Sequence, residues 1–300
     1  MKIAVLRRGA LGDLICTAPL ISHLLEKYPK GEIFLFVQKK SIDLFPWLFS
    51  SRVQPVLIGE GNKYFQLLKQ ALLARKTFDM AISAKTTPMK LNDFFLKVLK
   101  APITMAVTHN QGFSHPRSPT HTGHQALRCL KIFDPTIEEI PSRLLPKLQR
   151  VPPKSIPLPK PILFFSLANR RPPSLLDWRT FAEVANRLPV SVLINSDVPT
   201  PIALSLQNAL RVPSQVLITP HLSDLLQALA GVDFVLSGDG GLCHIASALQ
   251  KPLVALYACT PLDLWHPLGF AKCLFDHESV NRIHPDKILV ALREILETIS

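Results

Sequence analysis

The chain of 300 residues contains no apolar run of the ~18 residues that a membrane-crossing helix needs. Its five cysteines (Cys16, Cys129, Cys243, Cys259 and Cys273) are scattered, with no CxxC pair. Neither a zinc ribbon nor a disulfide framework is indicated, and a reducing, cytoplasmic setting fits. Tyrosine and tryptophan are scarce, three of each, so a stacking surface for nucleic-acid bases is not expected. The opening Met1-Lys2-Ile3-Ala4-Val5-Leu6-Arg7-Arg8 is too short and too charged for a leader, and reads as a first strand. The turn after it, Arg8-Gly9-Ala10-Leu11-Gly12-Asp13, is not G-x-G-x-x-G. Its acid comes at the helix start rather than ~20 residues later, so a dinucleotide site of the NAD type is disfavoured.

What the chain has in excess is positive charge on one side. The formal net charge is +12, and residues 1–150 hold 22 Lys+Arg against 10 Asp+Glu, whereas the rest balances at 12 against 12. A one-sided basic half suggests an anionic partner there. The plainer alternative is charge that serves solubility alone.

Proline marks the organisation. Nine of the 27 prolines fall between Pro141 and Pro173, which reads as a stiff connector between two folded units. Before it, strand-like runs (Ile3–Leu6, Ile33–Val37, Met80–Ser83, Thr104–Val107) alternate with helical patterns, including one helix over Leu14–Tyr28. After it the alternation restarts at Ile162–Ser166 and runs to Leu253–Tyr257. Strand–helix alternation means parallel sheets covered by helices. The expectation is an α/β protein of two Rossmann-like domains, 1–152 and 160–284, facing a central cleft. The last helix, 285–300, is expected at the domain junction. The segment His109–His124 has four histidines without metal-ligand spacing and reads as a long polar loop.

The most informative stretch is Phe234 to Tyr257. An apolar strand breaks into a turn bearing Gly238, Gly240 and Gly241, a short helix follows, and then a second apolar strand. Glycines at a strand-to-helix handover bring backbone N–H groups and a helix N-terminus up to a phosphate. His244, in the first turn of that helix, can neutralise a leaving phosphate or serve as a packing residue. Asp239 suits sugar hydroxyls better than phosphate, or simply forms the turn. Across the expected cleft, Asp13 reads as a helix cap or as a general base for an incoming hydroxyl. Arg170 and Arg171 are candidates to clamp a diphosphate, and Asp197 to hold a ribose. Either arginine reads equally as a solvated loop residue.

The motifs resemble those of a known family. Gly9-Ala10-Leu11-Gly12-Asp13 followed by Thr17-Ala18-Pro19-Leu20 resembles the N-terminal motif of glycosyltransferase family 9, the ADP-heptose:lipopolysaccharide heptosyltransferases. The stretch from Leu222 to Asp239-Gly240-Gly241-Leu242-Cys243-His244 and on to Pro252 is similar to the family's donor signature. Thr260-Pro261 with Trp265-His266-Pro267 is similar to the family's next loop. The resemblance implies a GT-B fold and an inverting transfer that uses neither metal nor other cofactor. It implies Asp13 as catalytic base, with Gly9 and Gly12 in its loop. Asp239, Gly240, Gly241, Leu242 and His244 fall at donor positions, the donor being ADP-heptose. It further implies an anionic glycolipid acceptor and peripheral contact with the inner membrane leaflet, with no role for nucleic acid. Two departures stand out. Gly240 takes the place of a Thr or Ser, and Leu176-Asp177-Trp178-Arg179 lacks the family's Lys before Trp. These leave open a hexosyltransferase using another nucleotide-sugar, or a non-catalytic relative.

Overall fold

The computed structural model describes residues 1–58, 63–109, 112–119, 122–169 and 171–299. The chain divides into two compact units, Met1–Pro146 and Lys147–Ser300. The first runs β1 (Lys2–Leu6), α1 (Leu11–Ile15), α2 (Ala18–Lys27), β2 (Glu32–Gln38), α3 (Phe45–Leu48), β3 (Val53–Ile58), α4 (Lys63–Leu73), β4 (Met80–Ser83), α5 (Lys90–Leu99), β5 (Ile103–Val107), β6 (His115–Arg117) and α6 (Gln125–Phe133). The second runs β7 (Ile162–Ser166), α7 (Trp178–Ala185), β8 (Ser191–Ser196), α8 (Pro201–Ala209), β9 (Ser214–Ile218), α9 (Leu222–Gly231), β10 (Phe234–Gly238), α10 (Gly241–Ala248), β11 (Leu253–Ala258), α11 (Leu262–Trp265), β12 (Ala271–Asp276) and α12 (Pro285–Ile299).

Each unit holds a six-stranded sheet, ordered β3-β2-β1-β4-β5-β6 and β12-β11-β10-β7-β8-β9. Every pairing is parallel. In both, the chain enters at a central strand, winds to one edge, and then returns to wind to the other. The reversal falls between β1 and β4 in the first unit and between β7 and β10 in the second. Ligands of such sheets sit beyond the strand carboxyl ends at that reversal. Helices on both faces bury the central strands completely, which is why they read as continuous apolar runs rather than alternating ones. Ile3 to Leu6 in β1 and Leu253 to Ala258 in β11 are all buried. Two Rossmann-like lobes thus stand where the alternation put them.

Three elements differ from the sequence expectation. The helix expected over Leu14–Tyr28 is two helices, because Pro19 has no N–H to return to the carbonyl of Ile15. The Thr17 hydroxyl donates to the Asp13 carbonyl at 2.8 Å and finishes α1. The strand β3 carries Pro55 and was not legible as a strand. Its place at the sheet edge tolerates the missing donor. The polar loop 109–124 contains the edge strand β6, and Phe113 is buried in the core. His121 of that loop lies outside the described residues.

The proline-rich connector is bonded to the second unit. Leu148 N–H donates to the Ala248 carbonyl at 2.8 Å and Lys154 N–H to the Gln227 carbonyl at 2.9 Å. The apolar stripe of α12, Ile288, Leu292, Ile295 and Leu296, enters the core of the same unit with β11 and α7. That core is anchored by Phe165 of β7, stacked on Phe181 of α7 with centroids 3.8 Å apart. Phe181 is fully buried, so Phe181→Ala should cost about 3–5 kcal/mol. Urea unfolding followed by circular dichroism should show the second lobe's midpoint falling.

Candidate active site

In the first unit the turn between β1 and α1 lies at the strand reversal. Arg7, nearly fully buried at the end of β1, donates to the carbonyl of Ala84 just beyond β4. Its other terminal nitrogen donates to Asp13 Oδ1. One guanidinium therefore ties the two strands that flank the reversal and fixes the carboxylate. The second oxygen, Oδ2, accepts the Ala10 N–H at 2.9 Å. Asp13 is thus not the residue that begins the helix but the third residue inside it, reaching back to the free amide of Ala10. An acid at that position also meets the positive end of the helix. Gly9 is required by close approach, since a Cβ there would sit 2.6 Å from Asp13 Cγ. Gly12 is buried inside α1. The Asp13 side chain keeps 22% exposure. An ionised carboxylate offers about four acceptor positions, and two are used here, so it retains capacity to accept a proton from a hydroxyl.

The second unit repeats the scheme with different chemistry. The loop after β7 carries Asn169 and Arg171, and the loop after β10 carries Asp239 and Gly240. Asp239 is buried, and its Oδ2 accepts from Arg171 Nη1 and, at 2.6 Å, from the Thr260 hydroxyl beyond β11. Asn169 completes the turn. Its Nδ2 donates to the carbonyls of Ser174 and Asp239, each at 3.1 Å, and its Oδ1 accepts the Arg171 N–H at 3.0 Å. Asp239 Oδ2 is thus occupied in holding a guanidinium whose own side chain remains 58% exposed. The free edge of Arg171 can pair an anion.

Gly240 begins α10 and has no side chain to occupy the first-turn amides of Gly241, Leu242 and Cys243. A helix start of this kind suits a phosphate. His244, expected beside that phosphate, is buried with its ring edge-to-face on Trp265 at 6.1 Å. Both sides of α10 are covered, because Cys243 through Ala248 are all buried. Burial pushes the Cys243 thiol up to about 12, and it donates to the Gly238 carbonyl at 3.2 Å. It is therefore a protonated packing group at neutral pH. Asp197 follows β8, the second strand of the lobe, where an acid of a Rossmann-like sheet reaches a ribose. It lines a cavity of about 540 Å³ with Trp178, Leu175 and Ile202. Arg170 lies outside the described residues. Among the described residues no group of three or more His, Cys, Asp or Glu is gathered to hold a metal.

Sequence reading missed Arg7, Asn169 and the pairing role of Thr260. Arg7 had one signal, a charge closing an otherwise apolar strand that is buried on both sides. One partner of Asn169, the Asp239 carbonyl, lies in another segment, and strand order alone brings the two together.

Two Rossmann-like lobes of this strand order are the two parts of a GT-B fold. Residues 142–280 match the family model of Glycosyltransferase family 9 (heptosyltransferase). The fold is shared along the whole chain with a family 9 glycosyl transferase from Veillonella parvula, at TM-score 0.79 and 17% identity over 99% of this chain and 97% of that one. It is also similar to the E. coli ADP-heptose lps heptosyltransferase II, at TM-score 0.76 and 20% identity over 99% of both chains. E. coli heptosyltransferase WaaC with ADP matches at TM-score 0.74 and 15% identity over 98% of this chain and 100% of that one. No curated protein sequence matches the chain.

The two glycines of the donor-side turn separate by experiment. A Cβ at Gly238 would lie 2.8 Å from the Ser174 carbonyl carbon, whereas at Gly240 the nearest atom is Asn169 Oδ1 at 3.9 Å. Gly238→Ala should destabilise by about 1–3 kcal/mol. Gly240→Ser should be neutral or stabilise by a few tenths of a kcal/mol, roughly the gain of a serine cap over glycine. Thermal unfolding of both variants checks this, and equal losses would contradict the geometry.

Proposed function

We propose that this protein transfers a heptose from ADP-heptose to an anionic inner-core lipopolysaccharide acceptor, with inversion and without metal. Asp13 takes the proton of the acceptor hydroxyl as its oxygen attacks the anomeric carbon. The bond from that carbon to the β-phosphate oxygen breaks, and ADP departs with the electron pair. The transition state is oxocarbenium-like, and fixed positive groups at the departing diphosphate lower its energy. In this lobe those groups are the first-turn amides of α10 and the free edge of Arg171.

The observation that carries the reading is the carboxylate of Asp13, fixed from two sides and still partly exposed at a strand reversal. Two nearby fixed donors hold its orientation, and orientation is what a general base needs first. Asp239 acts one step back, by holding Arg171. Asp197 and the adjoining cavity take the nucleoside. His244 supports α10 and Trp265 rather than touching phosphate. The match to the family model, and the ADP and ADP-2-deoxy-2-fluoro heptose held by the similar E. coli heptosyltransferase WaaC, support the choice of donor. The basic first half, with 22 cationic residues against 10 acidic ones, supports an anionic acceptor at the inner leaflet, approached from the cytoplasm.

A second reading keeps the chemistry and changes the sugar. Gly240 offers no hydroxyl to a donor, and the segment Leu176-Asp177-Trp178-Arg179, whose Asp177 caps α7 by accepting the Arg179 N–H at 2.7 Å, lacks the Lys that the family carries shortly before Trp. Both favour a donor with different contacts, such as a hexose on another nucleoside diphosphate.

Thermal stabilisation by ADP, UDP, GDP and CDP separates these readings. A nucleotide at ten times its Kd should stabilise by about 1.4 kcal/mol. Preference for ADP supports the heptosyl donor, preference for another base moves the reaction to another sugar, and no response to any nucleotide points to a cleft that no longer turns over. Asp13→Asn should keep the ADP response while turnover falls by about 10²-fold or more. Arg171→Ala should weaken ADP by about tenfold, the worth of a charge-assisted hydrogen bond, and normal turnover in Asp13→Asn would overturn the base assignment.

A further inference from the structure

The two sheets end in four edge strands, and three of them are blunted against further pairing. In the first lobe β3 carries Pro55 and β6 has only three residues. In the second, the Gln207 side chain of α8 donates to the Ser214 carbonyl of β9 at 3.0 Å. The fourth edge, β12, runs Ala271-Lys272-Cys273-Leu274-Phe275-Asp276 without a proline. Among the described residues no backbone hydrogen bond reaches its outer rim. Phe270, just before it, accepts the Leu253 N–H of β11 at 3.1 Å. Alternation then turns the N–H and C=O of Lys272, Leu274 and Asp276 towards β11 as well, and those of Ala271, Cys273 and Phe275 outwards. An edge of this kind can take another strand. Beside it, β12 and α12 leave a groove of about 380 Å³ lined by Leu274, Val290 and Ala291, with Lys272, Lys287 and Glu294 around it. Val290 is 52% exposed on the helix and Phe275 39% exposed on the strand.

We propose that two copies of this protein pair through β12, antiparallel about a two-fold axis, so that their second-lobe sheets become one. An isologous contact sets each residue of the strand against another of the same strand. With the axis at Leu274, Lys272 stands opposite Asp276 of the partner subunit, and the reverse. These are non-hydrogen-bonded positions, where facing side chains come closest. The outward-facing Cys273 exchanges both backbone bonds with Phe275 of the partner subunit, and Leu274 meets its own copy. An axis at Cys273 would set Lys272 against leucine, and one at Phe275 would set Asp276 against leucine, so charge selects the register. On the helix side the same axis makes the two copies of α12 antiparallel. Lys287 and Glu294 lie towards opposite ends of the groove, so each cation is set towards the partner's acid. Lys272 also holds Glu294 of its own chain, which extends the ion pairs into a chain of alternating charge. Burial of Leu274 and Val290 drives the contact, and the ion pairs align it. A strand of another protein is the other occupant of such an edge, but it would not require β12 to complement itself. The inference goes beyond the proposed reaction and uses none of its residues.

The test is sedimentation equilibrium of the full chain over about 1 to 100 µM. The expected result is a reversible monomer–dimer equilibrium. Val290→Arg adds a cation to each helix beside the axis and should weaken the dimer by about tenfold or more. Cys273→Pro removes an outward donor while sparing the ladder to β11, and should weaken it by about tenfold. Val290 is exposed, so its variant should keep the parent's thermal midpoint. Leu274→Cys reads the register, because Cα atoms of a non-hydrogen-bonded pair lie about 4.5 Å apart, within reach of a disulfide. The thiol oxidant diamide should turn this variant, and not the parent, into a covalent dimer on a non-reducing gel. A parent that stays monomeric across the range overturns the proposal and leaves the edge to a strand of another protein. A dimer that neither Val290→Arg nor Cys273→Pro weakens overturns it too, and so does a Leu274→Cys variant that fails to cross-link.

Discussion

An arginine at the strand reversal is the constraint on which both lobes depend. In the first lobe Arg7 joins the end of β1 to the backbone beyond β4 and holds Asp13. In the second, Arg171 lies after β7 and is held by Asp239 beyond β10 and Thr260 beyond β11. The parallel sheet leaves the carboxyl ends of its two central strands side by side with diverging loops, and a charged fork closes that gap. The polarity of the arrangement is inverted between the lobes. In one, a buried cation presents a carboxylate. In the other, a buried carboxylate presents a cation.

The fold was largely legible because its central strands are buried on both faces and therefore uniformly apolar. Edge strands were not, since β3 admits Pro55 and β6 has only three residues. The break between α1 and α2 was written in Pro19, but the apolar periodicity on either side masked it. The site was legible where one segment holds it, as in Asp13 and the Gly238–Gly241 turn. It was illegible where separate segments meet. Asn169 lies between Asp239 and Ser174 in space and nowhere near Asp239 in sequence. His244 was legible as a first-turn residue of α10, but its edge-to-face contact with Trp265, from α11 after β11, was not.

Glycine has two separate meanings in these loops. Gly9 and Gly238 are dictated by contact with Asp13 and Ser174, while Gly240 has open space around its α-carbon. The first two are fixed by packing, and the third is a position where chemistry can be added without moving the backbone. A side chain at Gly240 would therefore leave the fold untouched.

The connector has a practical bearing on isolating the donor half. Because Leu148 and Lys154 are bonded to Ala248 and Gln227, the stretch from residue 147 to 161 is part of the second lobe's outer wall. A fragment begun at the first strand, β7, would strip the Ala248 and Gln227 carbonyls of these partners. One begun at Lys147 carries its own wall with it.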